Sequence, residues 1–441
     1  MHLSPIKKCL IAAVISGTSF ASSSASEGGY WQGEHALGNF LGIRDSLEAA
    51  GVTFFGSYEA NIGGNPVGGR ERGVAYSDNF DFGLRFDLEK LVGWDGATFT
   101  VQGVQRDGTS LTNDYVGNFY QVQQNFGVQT TMLYGVYFEQ KFLDDRASLK
   151  FGRFATNDDF ATSPIYGLYM GNAIDGNPKS LVSSGAFTSY PGSSWAARFK
   201  YETSAETNVS LGVYQNTDTV YDEGKHGLDW SMRGNDGVMF IGQVGWTPEF
   251  FRKPVASGTT VDGKSAKAVQ PTTEMKGLPG HYWLGMYYST WETRAFDSDE
   301  LQDGKYGFYV HADQMVYQES PGSDQGLTLW TAAVYQPDER VNIIPFQING
   351  GLVYKGLIPG READSTILGL SYGSFSKDYA REERKAGRGN PDYEFVVEAG
   401  HRIQLTKFAY VMPELQWIIN PAGTGQVDDA LVVGLRIGIT F

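Results

Sequence analysis

Of the 441 residues only Cys9 is a cysteine, and it sits in a short apolar stretch near the N-terminus. Beyond that stretch the chain has no thiol. Disulfides and thiolate-ligated metals are therefore excluded, and stability must come from burial and backbone hydrogen bonding. Long apolar runs are also missing. A bilayer-crossing helix needs ~20 consecutive apolar residues, and the apolar core from Cys9 to Ile15 is far shorter. Basic charge is scarce: 35 Lys and Arg against 50 Asp and Glu leave a net charge of −15. Such a chain lacks the basic stripe that nucleic acid requires, and it is a poor candidate for an anion pore lined with Arg and Lys. No Gly-x-Ser-x-Gly elbow, phosphate loop or metal-ligand cluster is found, so neither cofactor nor metal is expected. His311 and Asp313, two residues apart on one strand face, could orient an imidazole, which keeps a barrel lipase as a remote alternative. Their parity turns them inward, away from the outer wall where a catalytic serine would have to meet them.

What is present begins with an export signal. Lys7 and Lys8 supply a positive start, Cys9 to Ile15 the apolar core, and Ser19 to Ala25 a run of small residues suited to cleavage. Cys9 opens the apolar core instead of closing it, unlike a lipoprotein. The expected organisation is a signal peptide over 1–25, an N-terminal periplasmic segment over 26–51, and a single barrel domain over 52–441.

The barrel follows from a period of two. Leu431, Val433, Leu435, Ile437, Ile439 and Phe441 fall on one face; Val432, Gly434, Arg436, Gly438 and Thr440 fall on the other. Near the other end Phe80, Phe82, Leu84, Phe86 and Leu88 alternate with Asn79, Asp81, Gly83, Arg85 and Asp87. About sixteen such segments recur, including 52–62, 97–106, 131–142, 147–154, 194–201, 209–215, 238–246, 281–291, 306–317, 327–335, 342–354, 366–375, 393–405, 408–419 and 431–441. The fold class expected is all-β, a transmembrane antiparallel barrel with one oily and one watery face. That design reconciles a mean hydropathy of −0.30 with membrane residence. The 56 glycines and 14% aromatics fit strands, turns and interfacial girdles. Trp31, Trp94, Trp230 and Trp246 lie near strand ends, as girdle residues do. A propeller would need a repeat of ~40–50 residues, and none is seen. Residues 36–50 place Leu37, Phe40, Leu41, Leu47 and Ala50 at mostly helical spacing, suggesting a short amphipathic helix tucked into the periplasmic mouth.

Connections alternate short and long, as periplasmic turns and external loops do. The long ones include 63–77, 107–129, 155–193, 216–237 and 377–392. The stretch 247–280 should be a turn yet is long and polar, and is read as a flexible insertion. About sixteen strands enclose water instead of a packed interior. Parity sends Arg85, Arg106, Glu139, Lys150, Arg198 and Lys200 into that lumen, while Arg153 falls beside Phe151 on the outer side, where a charge is tolerable only at a rim or bulge. The 155–193 connection is the best candidate to fold inward and narrow the channel; it carries Asp158, Asp159, Phe160, Tyr166, Tyr169, Asp175 and Tyr190. The expected constriction combines Arg106, Glu139, Arg198 and Arg85 with Asp158, Asp159, Phe160 and Tyr169 of that loop. Arg offers a rigid donor fork and carboxylates offer acceptors, while aromatic faces suit the C–H surfaces of a sugar. Tyr137, Tyr214, Trp283, Tyr287 and Tyr309 also point inward, either as a stacking track or as loop braces.

Several stretches resemble the carbohydrate-selective porin family, the OprB type. They include Leu41-Gly42-Ile43-Arg44 through Gly51-Val52-Thr53-Phe54, then Phe86-Asp87-Leu88-Glu89-Lys90-Leu91 and Tyr137-Phe138-Glu139-Gln140-Lys141-Phe142. Phe151-Gly152-Arg153-Phe154 runs on into Asp158-Asp159-Phe160-Ala161, and Asn172-Ala173-Ile174-Asp175-Gly176-Asn177-Pro178 leads to Tyr190-Pro191 and Trp195-Ala196-Ala197-Arg198. Later come Gly307-Phe308-Tyr309, Ala312-Asp313-Gln314-Met315, Tyr354 through Arg361, and Trp417-Ile418-Ile419-Asn420-Pro421. The partial match at Arg106-Asp107-Gly108 and the long 247–280 stretch depart from the pattern. The resemblance implies a sixteen-stranded porin in the outer membrane of a Gram-negative bacterium, passing glucose and related carbohydrate solutes passively. A general or cation-leaning porin is the alternative. The implied partners are carbohydrates and outer-membrane lipid, with a homotrimer left open.

Overall fold

A computed structural model describes residues 30–256 and 273–441; the expected signal peptide lies outside them. Sixteen strands, each antiparallel to its neighbours, form one closed wall. In chain order they are β1 Val52–Gly69, β2 Val74–Asp87, β3 Ala97–Gly108, β4 Thr131–Phe142, β5 Ala147–Phe154, β6 Ser194–Glu202, β7 Thr207–Asn216 and β8 Gly237–Trp246. The second half contributes β9 Thr273–Ser289, β10 Lys305–Gln318, β11 Gly326–Tyr335, β12 Phe346–Lys355, β13 Ser365–Ser374, β14 Tyr393–Thr406, β15 Ala409–Ile419 and β16 Asp428–Thr440. β1 and β16 close the ring, with Tyr58 opposite Ile439 and Ile62 opposite Leu435. The Phe441 N–H donates to the Gly56 carbonyl at 2.8 Å, which ties the last residue into the seam. Closure is what hydrocarbon demands, because each unpaired backbone group there costs several kcal/mol.

Alternation separates the two faces as expected. Leu149, Phe151, Phe199, Leu211, Phe240, Leu284, Met286, Leu415 and Trp417 stand exposed on the outer surface. Their neighbours Lys150, Arg198, Ser210, His311, Glu414 and Gln416 are buried inside. β4 and β5 begin and end where the alternation placed them. β1 runs past Ile62 to Gly69, and the expected 63–77 loop shrinks to residues 70–73. The turn-like Asn65 causes this: its side chain donates to the carbonyls of Gly68 and Glu71 and accepts from the Gly73 N–H. β12 starts at Phe346, not Asn342.

Two features at the short-turn end of the wall correct the sequence expectation. Within 247–280, Glu249–Ala256 is a strand paired antiparallel with the first part of β9, Phe250 opposite Leu278. β9 continues beyond the wall and the paired strand satisfies its backbone, so the described parts of this stretch form a hairpin stem; residues 257–272 are outside the described ones. The N-terminal helix spans Ile43–Ala49, after a 3-10 turn at Phe40–Gly42. It does not sit in the mouth. The Arg44 guanidinium lies 5.8 Å from the Phe54 ring and donates to the Phe54 carbonyl at 3.2 Å. Phe54 pairs with the outward Leu84 and shares its face, so the helix packs on the outer side of the periplasmic rim.

Arg153 does face outward, and a loop covers it. Its guanidinium donates to the carbonyls of Asp229 at 2.6 Å and Ser193 at 2.9 Å, under the Trp230 ring. The Trp195 indole, also outward, donates to the Trp230 carbonyl at 3.0 Å. The 217–236 connection therefore folds over the external rim.

An uncovered charge on the same face should behave differently. Leu211→Arg should lower the unfolding free energy in lipid vesicles by roughly 2–4 kcal/mol if the position lies at mid-depth, read from urea transitions against the parent protein.

Candidate functional site in the lumen

Three adjacent strands place one charged residue each on a single inward row. Glu139 of β4 is directly opposite Lys150 of β5, and Lys150 is directly opposite Arg198 of β6. The 155–193 connection leaves β5 and turns straight back into the barrel, carrying Asp158 and Asp159 over this row. Asp159 accepts from Lys150 Nζ at 3.0 Å and from Arg198 Nε at 3.0 Å. Arg198 donates its second arm to Glu139 at 2.8 Å and its third to the Ser148 hydroxyl at 2.5 Å. Asp158 accepts from the Tyr134 hydroxyl and lies 3.9 Å from Lys150. Burial pushes the Asp158 carboxyl up from its ordinary range, against the pull of Lys150. The Lys150 ammonium also stands 4.3 Å from the Tyr137 ring centroid and 4.2 Å from that of Phe154.

Chambers open on both sides of this row. One of about 450 Å³ is lined by Ser57, Asn79, Asp81, Gln102, Tyr134, Tyr137, Lys150, Asp158 and Tyr190. Another of about 600 Å³ is bounded by Glu139, Asp158, Asp159, Arg198, Gln243, His281, Trp283 and Asp313 among others. Asp158 borders both. Each volume falls in the range of ordinary small-molecule sites.

The structure brings Glu139, Arg198, Asp158 and Asp159 together, and adds Lys150. Arg106 is inward but separate from the row. Its Nε donates to Asn79 at 2.9 Å, its guanidinium lies 4.9 Å from the Tyr190 ring, and Tyr190 donates to the same Asn79 oxygen. Arg85 is exposed, near the Phe55 ring at 5.9 Å, and has no part in the row. Phe160 and Tyr169 are fully buried, so neither offers a free face. Phe160 packs edge-on to Tyr214, and Tyr169 accepts from the Trp330 indole while donating to the Leu368 carbonyl at 3.1 Å. Inward glycines make the seats: a Cβ on Gly212 would strike Phe160, and one on Gly369 would strike Tyr169. Tyr214, Tyr287 and Tyr309 are equally covered and act as braces.

What sequence reasoning missed is the far wall. Arg436 of β16, 1% exposed, donates to the carbonyls of Gly167 (3.0 Å) and Tyr169 and to Asp175 at 2.8 Å. Glu398 of β14 accepts from Met170 N–H at 2.6 Å and from Gly171 N–H, and Glu414 of β15 shares the Met170 donor. The 109–130 connection also turns inward. Glu394 accepts from the N–H groups of Phe119 at 2.7 Å and Tyr120 at 2.8 Å. The two inward loops bond each other through Gln124 N–H to Met170 O and Asn172 N–H to Gln121 O. A loop that crosses the lumen needs acceptors waiting on the opposite strands. The inward carboxylates of β14 and β15 were the available signal.

A closed sixteen-strand wall, apolar outside and polar within, is the architecture of a porin, a passive channel. Residues 71–441 match the carbohydrate-selective porin, OprB family. The chain belongs to that family. It is 27% identical to Porin B of Pseudomonas aeruginosa, over 92% of this chain and 91% of that one. It is 25% identical to the putative porin QuiX of Acinetobacter baylyi, with 92% of each chain covered. The structure superposes on the high-pH structure of Pseudomonas putida OprB with a TM-score of 0.81, at 27% identity, covering 93% of this chain and 99% of that one. The molecule is thus a carbohydrate-selective channel of the Gram-negative outer membrane, not an enzyme.

Removing the far-wall anchor should free the loop. Arg436→Met leaves a buried carboxylate and two carbonyls without their donor, a change on the order of 3–5 kcal/mol for a broken buried pair. Single-channel conductance should rise, and residues 155–193 should become protease-sensitive while the wall stays folded.

Docking should also respond to pH. Burial raises the Asp175 carboxyl to about 7, against the pull of Arg436. In water an Asp titrates near ~3.9, so between those values the docked loop holds a proton that the released loop does not. Docking is then strongest in acid and weakens as pH rises through about 7. Current noise from loop motion should increase from acid to alkaline pH, and Asp175→Asn should flatten the dependence.

Proposed function

We propose that the row Glu139–Lys150–Arg198, bridged by Asp159, is the element that favours sugars among the solutes reaching this channel. The observation that carries it is the placing of two cations and two carboxylates within direct bonding distance, between two chambers. Opposite charges so paired project little net field, so a small ion gains less there than a lone charge would give it. A neutral polyol meets donors and acceptors at close spacing, which can replace its water as it passes. Asp81, Gln102 and Asn79 continue the polar lining in the smaller chamber, and the Trp283 edge offers apolar contact in the larger one. Monosaccharides such as glucose and small oligosaccharides fit chambers of these volumes. No cofactor or energy source is required. In this reading residues 1–25 direct export, 26–51 lie at the periplasmic end, and 52–441 form the lipid-embedded barrel.

Liposome swelling tests the assignment. Arg198→Ala exposes Asp159 and Glu139, and should slow glucose entry relative to equal-sized amino acids while shifting the reversal potential toward cation preference. Arg106→Ala should change sugar flux less, since it stands outside the row. Unchanged sugar preference and unchanged ion selectivity in Arg198→Ala would remove the row from the mechanism.

A further inference from the structure

We propose that residues 36–50 form a collar embedded in the periplasmic leaflet of the outer membrane, wrapped on the outside of the barrel rim. The proposal rests on the outer-membrane reading above. It takes the lipid of that leaflet as the occupant of an apolar face that the described residues leave uncovered.

Three observations place the segment. The Ala36 N–H donates to the Thr440 carbonyl at 2.8 Å, fixing its start to the end of β16. Arg44 then folds against the wall: it is buried, bonds the carbonyls of Gly38 and Phe54, and rests over the rings of Phe40 and Phe54. Phe441, on the same outer face beside Phe80, is only 5% exposed. The segment therefore lies where acyl chains would otherwise meet the seam of the barrel.

Its free side has the wrong chemistry for water. Ile43 and Leu47 stand one turn apart on the helix and are exposed, as are Phe40 and Leu41 (79%) of the left-handed turn that leads into it. Asp45 lies on the other side of the helix from Ile43 and Leu47 and is also exposed. Glu48 is turned back to Arg44 at 3.7 Å. Such a division of faces is that of an interfacial helix.

Continuity with the belt identifies the occupant. Val52 stands opposite Phe86, Phe86 opposite Phe99 and Phe99 opposite Phe138, one aromatic row at the periplasmic end of the wall. Trp94 covers Phe138 from the neighbouring turn at 5.1 Å and is itself half exposed. Phe54, under Arg44, is the next outward position along β1. The collar is thus level with the interfacial girdle, where amphipathic aromatic and apolar residues meet the lipid headgroups.

Depth-dependent quenching tests it. In a Cys9→Ser background of the full-length chain, single replacements Leu41→Cys, Ile43→Cys and Asp45→Cys are labelled with an environment-sensitive nitrobenzoxadiazole probe, alongside Leu211→Cys on the belt. The proteins are placed in phosphatidylglycerol–phosphatidylethanolamine vesicles containing doxyl-labelled lipid, or exposed to iodide on both sides. The expected result is loss of emission at 41, 43 and 211 with doxyl lipid, little loss there with iodide, and the reverse at 45. Quenching of the 41 and 43 probes by iodide, with the 211 probe still sensing doxyl lipid, overturns the collar. Protection of both probes from both quenchers overturns it too, because a protein neighbour then covers the face. If the 211 probe senses iodide alone, it is the outer-membrane reading that has failed.

Discussion

A chain threaded through the inside of a barrel must find a partner for every amide it carries away from water. That requirement organises this lumen. The inward loop presents the carbonyls of Gly167 and Tyr169 to Arg436, and the N–H groups of Met170 and Gly171 to Glu398. Glu394 performs the same service for the second inward loop. Arg436 suits this task because a charged donor holds a backbone group more tightly than a neutral one. The channel's cross-section therefore depends on hydrogen bonds that the loops make to the wall.

The opposite side has a different task. Glu139, Lys150 and Arg198 are neighbours on consecutive strands, so their separation is fixed by the ladder and not by flexible stems. Asp159 arrives from the loop and completes the balance. Lys150 and Arg198 are nearly covered, whereas Glu139 and Asp158 retain about a quarter of their side-chain surface. In the proposed mechanism the open carboxylates meet the solute, and the covered cations hold them in place.

The wall was legible because alternation survives in any strand with one oily face. β4 and β5 emerge residue for residue, and parity alone put Glu139, Lys150, Arg198 and Arg106 inside. Parity says nothing of what approaches from across the lumen. Arg436 fell on the inward face of the last strand, yet nothing local showed that a loop would close over it. The aromatic residues Phe160 and Tyr169 looked like sugar platforms because exposure was assumed; Gly212 and Gly369 leave hollows that swallow them. The N-terminal helix was recognisable from its spacing, but the side of the rim it chose depends on Arg44 meeting Phe54. Length alone marks the 107–129 connection as external, and length does not register the Glu394 acceptor that draws it inward.

The inward loop is held near β4–β6 by carboxylate contacts and near β14–β16 by Arg436 and Glu398. It behaves as a beam with two charged abutments and neutral bonds between them, such as those from Gln347 and Asn349 of β12 to the Ala173 carbonyl. Replacements beside the first abutment change which molecules are welcomed, while the gap beneath the beam keeps its width so long as the second abutment is intact. Diversification of solute preference among relatives can then proceed on three strands without rebuilding the channel.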